Sequence, residues 1–487
     1  MLGLVGLFYF EENWRGPRAW EKYKKERGAR RERFDASAFV PPVVAPSENF
    51  ALTPFLAPLF DFIPGTQKWR STNQLAQVYG FAPEYDRAAK AVKAVKSARS
   101  NSWVTTEIDL TAWRAAYLQS TNRINQAIDS ISRKEAATAV LANLAECSDV
   151  LEELRESSKR KYSRFNLRYN EDDPAGILLP HLAPLKHLCL VLQLRATAEL
   201  ALGKTDEALS DVNLMLRITD ATRGEPIIIS QLVRLPMLYM ALEPIAAGFG
   251  RWSEPQLKAL QERLQQFDFC ADMKGALTGE RVLFGGGIIE FLRREPDKFE
   301  ALSGDGKFPG AIWSAVPSGW FDFEKVNFSR FFDEFVMPSI DVENRRISPG
   351  ACQQTEKKMS AELNQSQALL FFQHRAFCSL LVPGTLGVAR KTAFAQTAVD
   401  TAAIACAVER YKLAHGGLPE SLGALVPQFT DKLPHDIIDG QSLRYLRTAD
   451  GRYAIYSVGW NEKDDGGMAG FKKGEHDVPE EGDWAWR

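Results

Sequence analysis

Helical spacing dominates this sequence and limits the folds that it can adopt. From about residue 108 to His415, apolar residues recur at intervals of three and four, which is the pattern of amphipathic helices. Strand-like alternation is confined to residues 442–459, where an Asp-Gly pair predicts a tight hairpin turn. The spacing therefore predicts a mainly α protein. An irregular helical domain (63–385) is followed by a small α+β domain (386–487), which begins with one long helix.

One segment in the middle of the chain has the features of a helical hairpin. A first helix should end at Leu202, because Gly203 can adopt the left-handed conformation that closes a helix. Asp206 is then placed to cap a second helix, and small residues on both helices let them approach closely. The segment, residues 194–218, resembles a single tetratricopeptide unit, so the helical domain is expected to be tetratricopeptide-like. An ordinary hairpin in an irregular bundle is the alternative.

The chain begins with "MLGLVGLFYF", an apolar run over residues 1–10 that is followed by aromatic residues and arginines. A helix that spans a bilayer needs about twenty apolar residues, so this run is too short to cross one. We interpret it as the stub of a membrane anchor, and an apolar helix docked on the protein itself is the alternative. Residues 11–62 predict a charged helix and then a proline-rich extended arm, because prolines exclude a long helix there.

Composition excludes some classes of function. The chain of 487 residues has a formal net charge of -2, whereas a nucleic-acid-binding domain is usually basic, so no nucleic-acid partner is expected. The six cysteines are scattered without a close pair, which disfavours a zinc site or a redox motif. Several of them lie in apolar runs, so buried free thiols are predicted.

The C-terminal hundred residues carry a recognisable motif, whose matching positions are Tyr411, Gly416, Pro419, Leu425, Pro434, Asp436, Gly440 and Tyr456 to Gly459. Over roughly 395–487 the chain resembles the C-terminal part of the major pseudopilin of type II secretion. The whole chain is similar to an uncharacterised family of bacterial proteins. In pseudopilins the long helix opens the chain, whereas here it is internal, which argues against assembly into a filament by the family's mechanism.

The pseudopilin resemblance implies a calcium site in "WNEKDDGG", because the corresponding loop of the major pseudopilin can bind calcium. It implies Asn461, Asp464 and Asp465 as ligands, with Asp477 or Asp483 joining from the tail. Carboxylate, amide and backbone oxygens are the ligands that calcium prefers, and glycines let the backbone fold around an ion. A solvated turn is the alternative, and no other cofactor is expected.

The sequence contains no known catalytic motif: H-E-x-x-H, the P-loop and G-x-S-x-G are all missing. Glu280, Arg281 and His374 lie in apolar helical segments, and they could line a site in a helical cavity that acts on an envelope polymer or lipid. Structural roles are the simpler interpretation, with His374 as a core histidine. Ion pairs are expected for two groups: Glu280 with Arg281, and Glu290 with Arg293 or Arg294.

These observations favour a non-enzymatic, membrane-associated helical scaffold that binds a protein partner. An enzyme with its site in a helical cavity and an accessory subunit of a secretion system are the alternatives. The expected location is the cell envelope, with the protein anchored at a membrane and facing the periplasm. Against this, the basic residues after the apolar run favour a cytoplasmic location by the positive-inside rule.

Overall fold

The computed structural model describes residues 2–94, 108–120, 131–169, 173–299, 310–448, 450–470 and 478–486. Helices predominate in the part of the chain before residue 300: α1 Leu2–Gly28, α2 Thr72–Tyr79, α3 Pro83–Ala94, α4 Leu110–Ser120, α5 Arg133–Asn143, α6 Ser148–Ser158, α7 Leu182–Ala201, α8 Thr205–Asp220, α9 Ile228–Ala247, α10 Glu254–Leu264, α11 Phe269–Gly279 and α12 Gly287–Arg294.

Further helices and three short strands follow: α13 Gly310–Ser314, α14 Gly319–Phe331, α15 Pro349–Leu363, α16 Gln367–Phe372, α17 Ala376–Leu381, α18 Val388–His415, β1 Arg444–Arg447, β2 Tyr453–Ser457 and β3 Trp484–Trp486. The mainly helical class is confirmed, and the small sheet agrees with an α+β C-terminal part. Two π-helical segments, Glu280–Gly286 and Phe332–Val336, extend α11 and α14.

The predicted hairpin consists of α7 and α8, and α9 packs against both. Gly203 adopts the left-handed conformation that the sequence predicts, with φ +77°. The prediction that Asp206 caps α8 is wrong. Lys204 precedes the first helical residue, and the Asp206 carboxylate accepts a hydrogen bond from Gln256 of α10 at 2.7 Å instead. A tetratricopeptide-like arrangement remains a prediction.

The long C-terminal helix, α18, is the central element of the structure. It packs against α9, α10 and α11 on one side and against β2 and β3 on the other. Its side chains are buried without interruption from Thr392 to Arg410. The helix ends at Gly416, which has φ +74° and is therefore suited to a left-handed cap.

The C-terminal sheet is antiparallel, with strand order β1-β2-β3. The Asp-Gly pair lies at the turn between β1 and β2, as the sequence predicts, and Tyr445 pairs with Ile455. Trp484 and Trp486 of β3 are buried. All six cysteines are buried and free, which confirms the prediction from their spacing.

The proline-rich arm before α2 follows the surface of the helical body. It contains four short 3-10 turns, Ala36–Phe39, Pro46–Glu48, Phe50–Leu52 and Ala57–Phe60. Phe50, Leu56 and Leu59 are fully buried, so these apolar residues between the prolines attach the arm to the core.

Candidate functional site

The first turns of α1 carry apolar side chains that face solvent. Leu4 is 75% exposed and Phe10 is 71% exposed, and Val5, Leu7 and Phe8 are exposed as well. At about 100° per residue, these five positions span about 220° of the helix circumference. A helix end that is apolar over such an arc needs an apolar environment on several sides.

The remainder of α1 is docked along α14. A Cβ atom on Gly16 would overlap the carbonyl oxygen of Gly319, so the two backbones touch at this point. The Asn13 side-chain oxygen accepts a hydrogen bond from the backbone N–H of Gly319 at 2.9 Å, and the Tyr9 hydroxyl donates to the carbonyl of Ala315. These contacts fix the direction in which the exposed end of α1 projects.

A charged cluster holds the other end of α1. Asp333 accepts a hydrogen bond from the Tyr23 hydroxyl at 2.5 Å and pairs with Arg27 at 2.8 Å and with Arg281. Arg281 also pairs with Glu32 at 3.0 Å. Burial raises the pKa of Tyr23 above its usual value and Asp333 adds to the effect, so Tyr23 remains a neutral donor. Asp333 and Arg281 both lie in π-helical segments, which often occur at functional sites.

The predicted ion pair between Glu280 and Arg281 is wrong. Arg281 turns to the carboxylates of Glu32 and Asp333. Glu280 instead accepts a hydrogen bond from the backbone N–H of Ile228 at 3.3 Å, at the start of α9. Burial raises the pKa of Glu280 to about 7. An N–H group at a helix start needs an acceptor, and this explains why the carboxylate turns away from its neighbour.

The ion pair between Glu290 and Arg293 is confirmed. His374 stacks on Phe323, with ring centroids 5.0 Å apart, and meets Trp320 edge-on. Burial lowers the pKa of His374 to about 4, and the charge of Arg15 adds to this, so the ring is neutral at neutral pH.

The residues that could have formed a catalytic site in a helical cavity therefore make separate structural contacts. Glu280 faces the start of α9, Arg281 faces the charged cluster, and His374 lies among aromatic rings. Since each side chain serves its own neighbours, they do not form a shared catalytic arrangement.

A cleft of about 730 Å³ opens between α10, α18 and the loop 427–434. At its floor, Asp400 pairs with Arg345 at 2.9 Å and accepts a hydrogen bond from Gln396 at 3.1 Å. Burial raises the pKa of Asp400, and Arg345 opposes the rise. Arg410 pairs with Glu254 at 2.8 Å. The charges of Asp400, Arg345 and Arg410 in the cleft are therefore paired within the protein.

The rim of this cleft carries charges of both signs, from Lys258, Glu262, Asp431 and Lys432. Sequence reasoning missed the cleft because its walls come from three distant segments. The available signal was the presence of Asp400 and Arg410 in an alanine-rich helix.

The acidic loop after β2 brings together some of the predicted calcium ligands. Asp464 accepts hydrogen bonds from the Tyr456 hydroxyl at 3.1 Å and from the backbone of Gly466 at 3.0 Å. The Asn461 side chain donates to Asp465 at 3.0 Å, and its amide oxygen accepts from the backbone of Lys463. Asn461 is therefore already used to shape the turn.

Asp483 lies beneath this loop and is fully buried. One of its carboxylate oxygens accepts a hydrogen bond from the backbone N–H of Gly467 at 2.6 Å, and the backbone N–H of Asp465 is a second donor to this carboxylate. Burial raises the pKa of Asp483, and the negative charges of Asp464 and Asp465 raise it further. A buried carboxylate beside two other carboxylates is a suitable ligand for a cation.

Asp477, the other residue predicted to join from the tail, lies outside the described residues. Over the described ranges, no three side chains of His, Cys, Asp or Glu converge at a spacing that could hold a metal ion. A calcium ion at the loop would therefore need backbone carbonyl oxygens or water in addition to the carboxylates.

Among the described helices, α9 alone is long and apolar enough to cross a membrane, judged by length and composition. Within its window, 61% of the residues are buried inside the protein, as in the core helix of a globular domain.

Searches against protein-family models, curated proteins and solved structures returned no match to this chain. The resemblance of the C-terminal part to the major pseudopilin therefore remains a prediction from its sequence motif.

Proposed function

We propose that this protein is a non-enzymatic, membrane-associated helical scaffold, which lies against a bilayer with the exposed end of α1 inserted in it. The observation that carries the proposal is the apolar arc formed by the exposed residues between Leu4 and Phe10, which projects from a helix whose remaining length is fixed on α14.

The hydrophobic effect favours this insertion. Full transfer of a leucine or phenylalanine side chain from water to an apolar medium is worth about 1.5–3 kcal/mol. Five such side chains are exposed at the end of α1. If α1 only packed on the rest of the protein, these exposed apolar side chains would have no role. An apolar surface outside the chain accounts for their exposure.

The residues that follow the apolar end suit the interface between lipid and water. Trp14 is half exposed, and the Arg18 guanidinium stacks on its ring at 3.8 Å. Tryptophan is enriched at membrane interfaces, and each arginine near an anionic lipid surface adds about 1 kcal/mol. Arg15 pairs with Glu12 at 2.8 Å, so Arg18 is the better candidate for lipid contact.

Vesicle flotation of the purified full chain tests the proposal. The wild-type protein should float with vesicles of phosphatidylcholine that contain about 30% phosphatidylglycerol, and less protein should float at high salt. Leu7→Asp should lower the bound fraction about tenfold or more, because it places a charge in the apolar phase. Val43→Asp, at an exposed apolar residue of the arm, is the matched control and should bind like wild type. Wild-type protein that stays in the aqueous fraction would contradict the proposal.

We also propose that the loop after β2 binds calcium through Asp464 and Asp483, with Asp465 nearby. The position of the buried Asp483 carboxylate beside the negative charges of Asp464 and Asp465 supports this assignment. Bound calcium would supply a positive charge to carboxylates that otherwise repel one another, and so would stabilise the loop.

Thermal unfolding with and without calcium tests this second proposal. About 5 mM CaCl2 should raise the Tm by about 2–5 °C, because a ligand that binds only the folded state stabilises it. Asp483→Asn should abolish the rise, and Asp450→Asn at the exposed hairpin turn should keep it. Equal Tm values in calcium and in a chelator would exclude the site.

A further inference from the structure

A second exposed apolar element lies beside the end of α1. It is α16, in which Phe372 is 68% exposed and Leu369 is 45% exposed. On neighbouring α13, Ile312 is 46% exposed. Large apolar side chains at such exposure on one small region commonly mark an interaction surface.

Aromatic contacts connect α16 to α1. The ring of Phe8 lies 6.3 Å from Trp320, and Trp320 lies 5.2 Å from Phe371 and 6.3 Å from Phe372. Phe371 also meets Trp313, its ring 5.3 Å away, next to Ile312. Phe8 and Phe372 therefore lie on either side of Trp320, with Leu369 one turn before Phe372 on α16. We call the exposed residues Phe8, Leu369 and Phe372 the apolar platform.

The turn after α16 is held firmly. Asn327 donates hydrogen bonds to the carbonyls of Gln373 and His374, both at 3.0 Å. Arg375 pairs with Glu362 at 3.0 Å, and His374 has a φ of +53°, which is rarely adopted by a residue with a side chain. These contacts fix the turn that follows Phe372, so the fold itself holds this side chain in an exposed position.

We propose that α16 enters the same bilayer as the end of α1, so that the apolar platform is a two-element membrane contact. This inference rests on the function proposed above and extends it. A bilayer fits better than a groove on a partner protein, because a groove covers one face of a helix and the end of α1 is apolar over about 220°. Arg18, which stacks on Trp14, adds charge complementarity to anionic lipid.

Site-specific fluorescence tests the inference. The six native cysteines are buried, so a thiol-reactive, environment-sensitive dye will label an introduced cysteine selectively. Three labelled variants of the full chain are compared: Leu7→Cys on α1, Phe372→Cys on α16 and, as a control, Lys258→Cys on exposed α10. With vesicles of phosphatidylcholine and about 30% phosphatidylglycerol, the dyes at 7 and 372 should shift to the blue and brighten about twofold or more, and the dye at 258 should not change.

The outcomes separate the two proposals. A blue shift at 7 with none at 372 would overturn the platform and leave the function of α1 intact. No shift at either position would end both proposals. A shift at 372 that appears on raising the protein concentration without vesicles would assign the surface to a second copy of the chain, which also overturns the inference. As an independent check, Leu369→Ser with Phe372→Ser should lower vesicle binding about tenfold, because two apolar contacts are lost.

Discussion

α1 and α18 are nearly equal in length, at 27 and 28 residues, yet they lie in opposite environments. α18 is buried from Thr392 to Arg410 although this stretch contains aspartate, glutamate, arginine and several threonines. α1 begins with almost purely apolar residues, and these are exposed. The difference shows that length and apolar content do not decide which helix forms the core, because burial depends on what the rest of the chain can pack against each face.

α18 can be buried because its polar side chains form hydrogen bonds or ion pairs with nearby groups. The hydroxyls of Thr392 and Thr401 donate to backbone carbonyls four residues earlier, both at 2.8 Å. Asp400 is neutralised by Arg345. Small alanines at positions such as Ala402 then allow other elements to approach on every side. α1 has large side chains at its exposed end, and within the described part of the chain Leu4, Leu7 and Phe10 remain more than half exposed.

Enlarging a buried alanine of α18 should give the largest effect. Ala402→Leu adds three carbon atoms at a fully buried position, so we expect the free energy of unfolding to fall by about 3 kcal/mol. Urea unfolding measures this loss. Ala29→Leu, at an exposed position just after α1, is the matched control and should change stability by less than about 0.5 kcal/mol. Equal stability of the two variants would show that α18 is not closely packed.

The docking of α1 should be broken by a smaller, local change. Gly16→Val places side-chain atoms where the backbone of Gly319 lies, so α1 should detach at a cost of about 2 kcal/mol while the core remains folded. Trypsin should then cleave after Lys22 and Lys25 about tenfold faster than in wild type. Gly6→Val is the matched control, because no other atom lies within 4 Å of its added Cβ. Identical cleavage of both variants would contradict the observed docking.

Several parts of the fold follow from local sequence patterns. The end of α18 at Gly416, the left-handed turn at Gly203 and the capping box of Ser253 at the start of α10 were all predictable, because each depends on a few neighbouring residues. The hairpin between β1 and β2 was predictable for the same reason, because its turn depends on neighbouring residues.

The candidate sites were less predictable, because their contacts join residues far apart in the chain. Tyr9 meets Ala315, and Tyr23 meets Asp333, at separations of about 300 residues. Periodicity contains no information about such partners. The exposed apolar end of α1 was visible as a sequence run, but the platform formed with α16 depends on Trp320 lying between the two elements.

The smallest expected effect concerns Glu324 on α14, the helix that supports α1. Its buried carboxylate accepts hydrogen bonds from the backbone N–H groups of Ala376 and Phe377, both at 3.2 Å, and thereby ties α14 to the start of α17. Burial raises the pKa of Glu324 to about 8, whereas an unfolded glutamate titrates near pH 4.3, as a rough reference value. Between these values the folded state holds one more proton than the unfolded state, so this group lowers stability as the pH rises.

Glu324→Gln removes this titration and keeps an oxygen that can accept one of the two hydrogen bonds. The difference in Tm between the variant and wild type, taken as variant minus wild type, should therefore increase by a few degrees between pH 5 and pH 8. Thermal unfolding of both proteins at matched ionic strength measures the difference. Parallel Tm profiles would mean that Glu324 is not protonated in the folded protein, and the contact between α14 and α17 would then contain a buried negative charge that only backbone N–H groups stabilise.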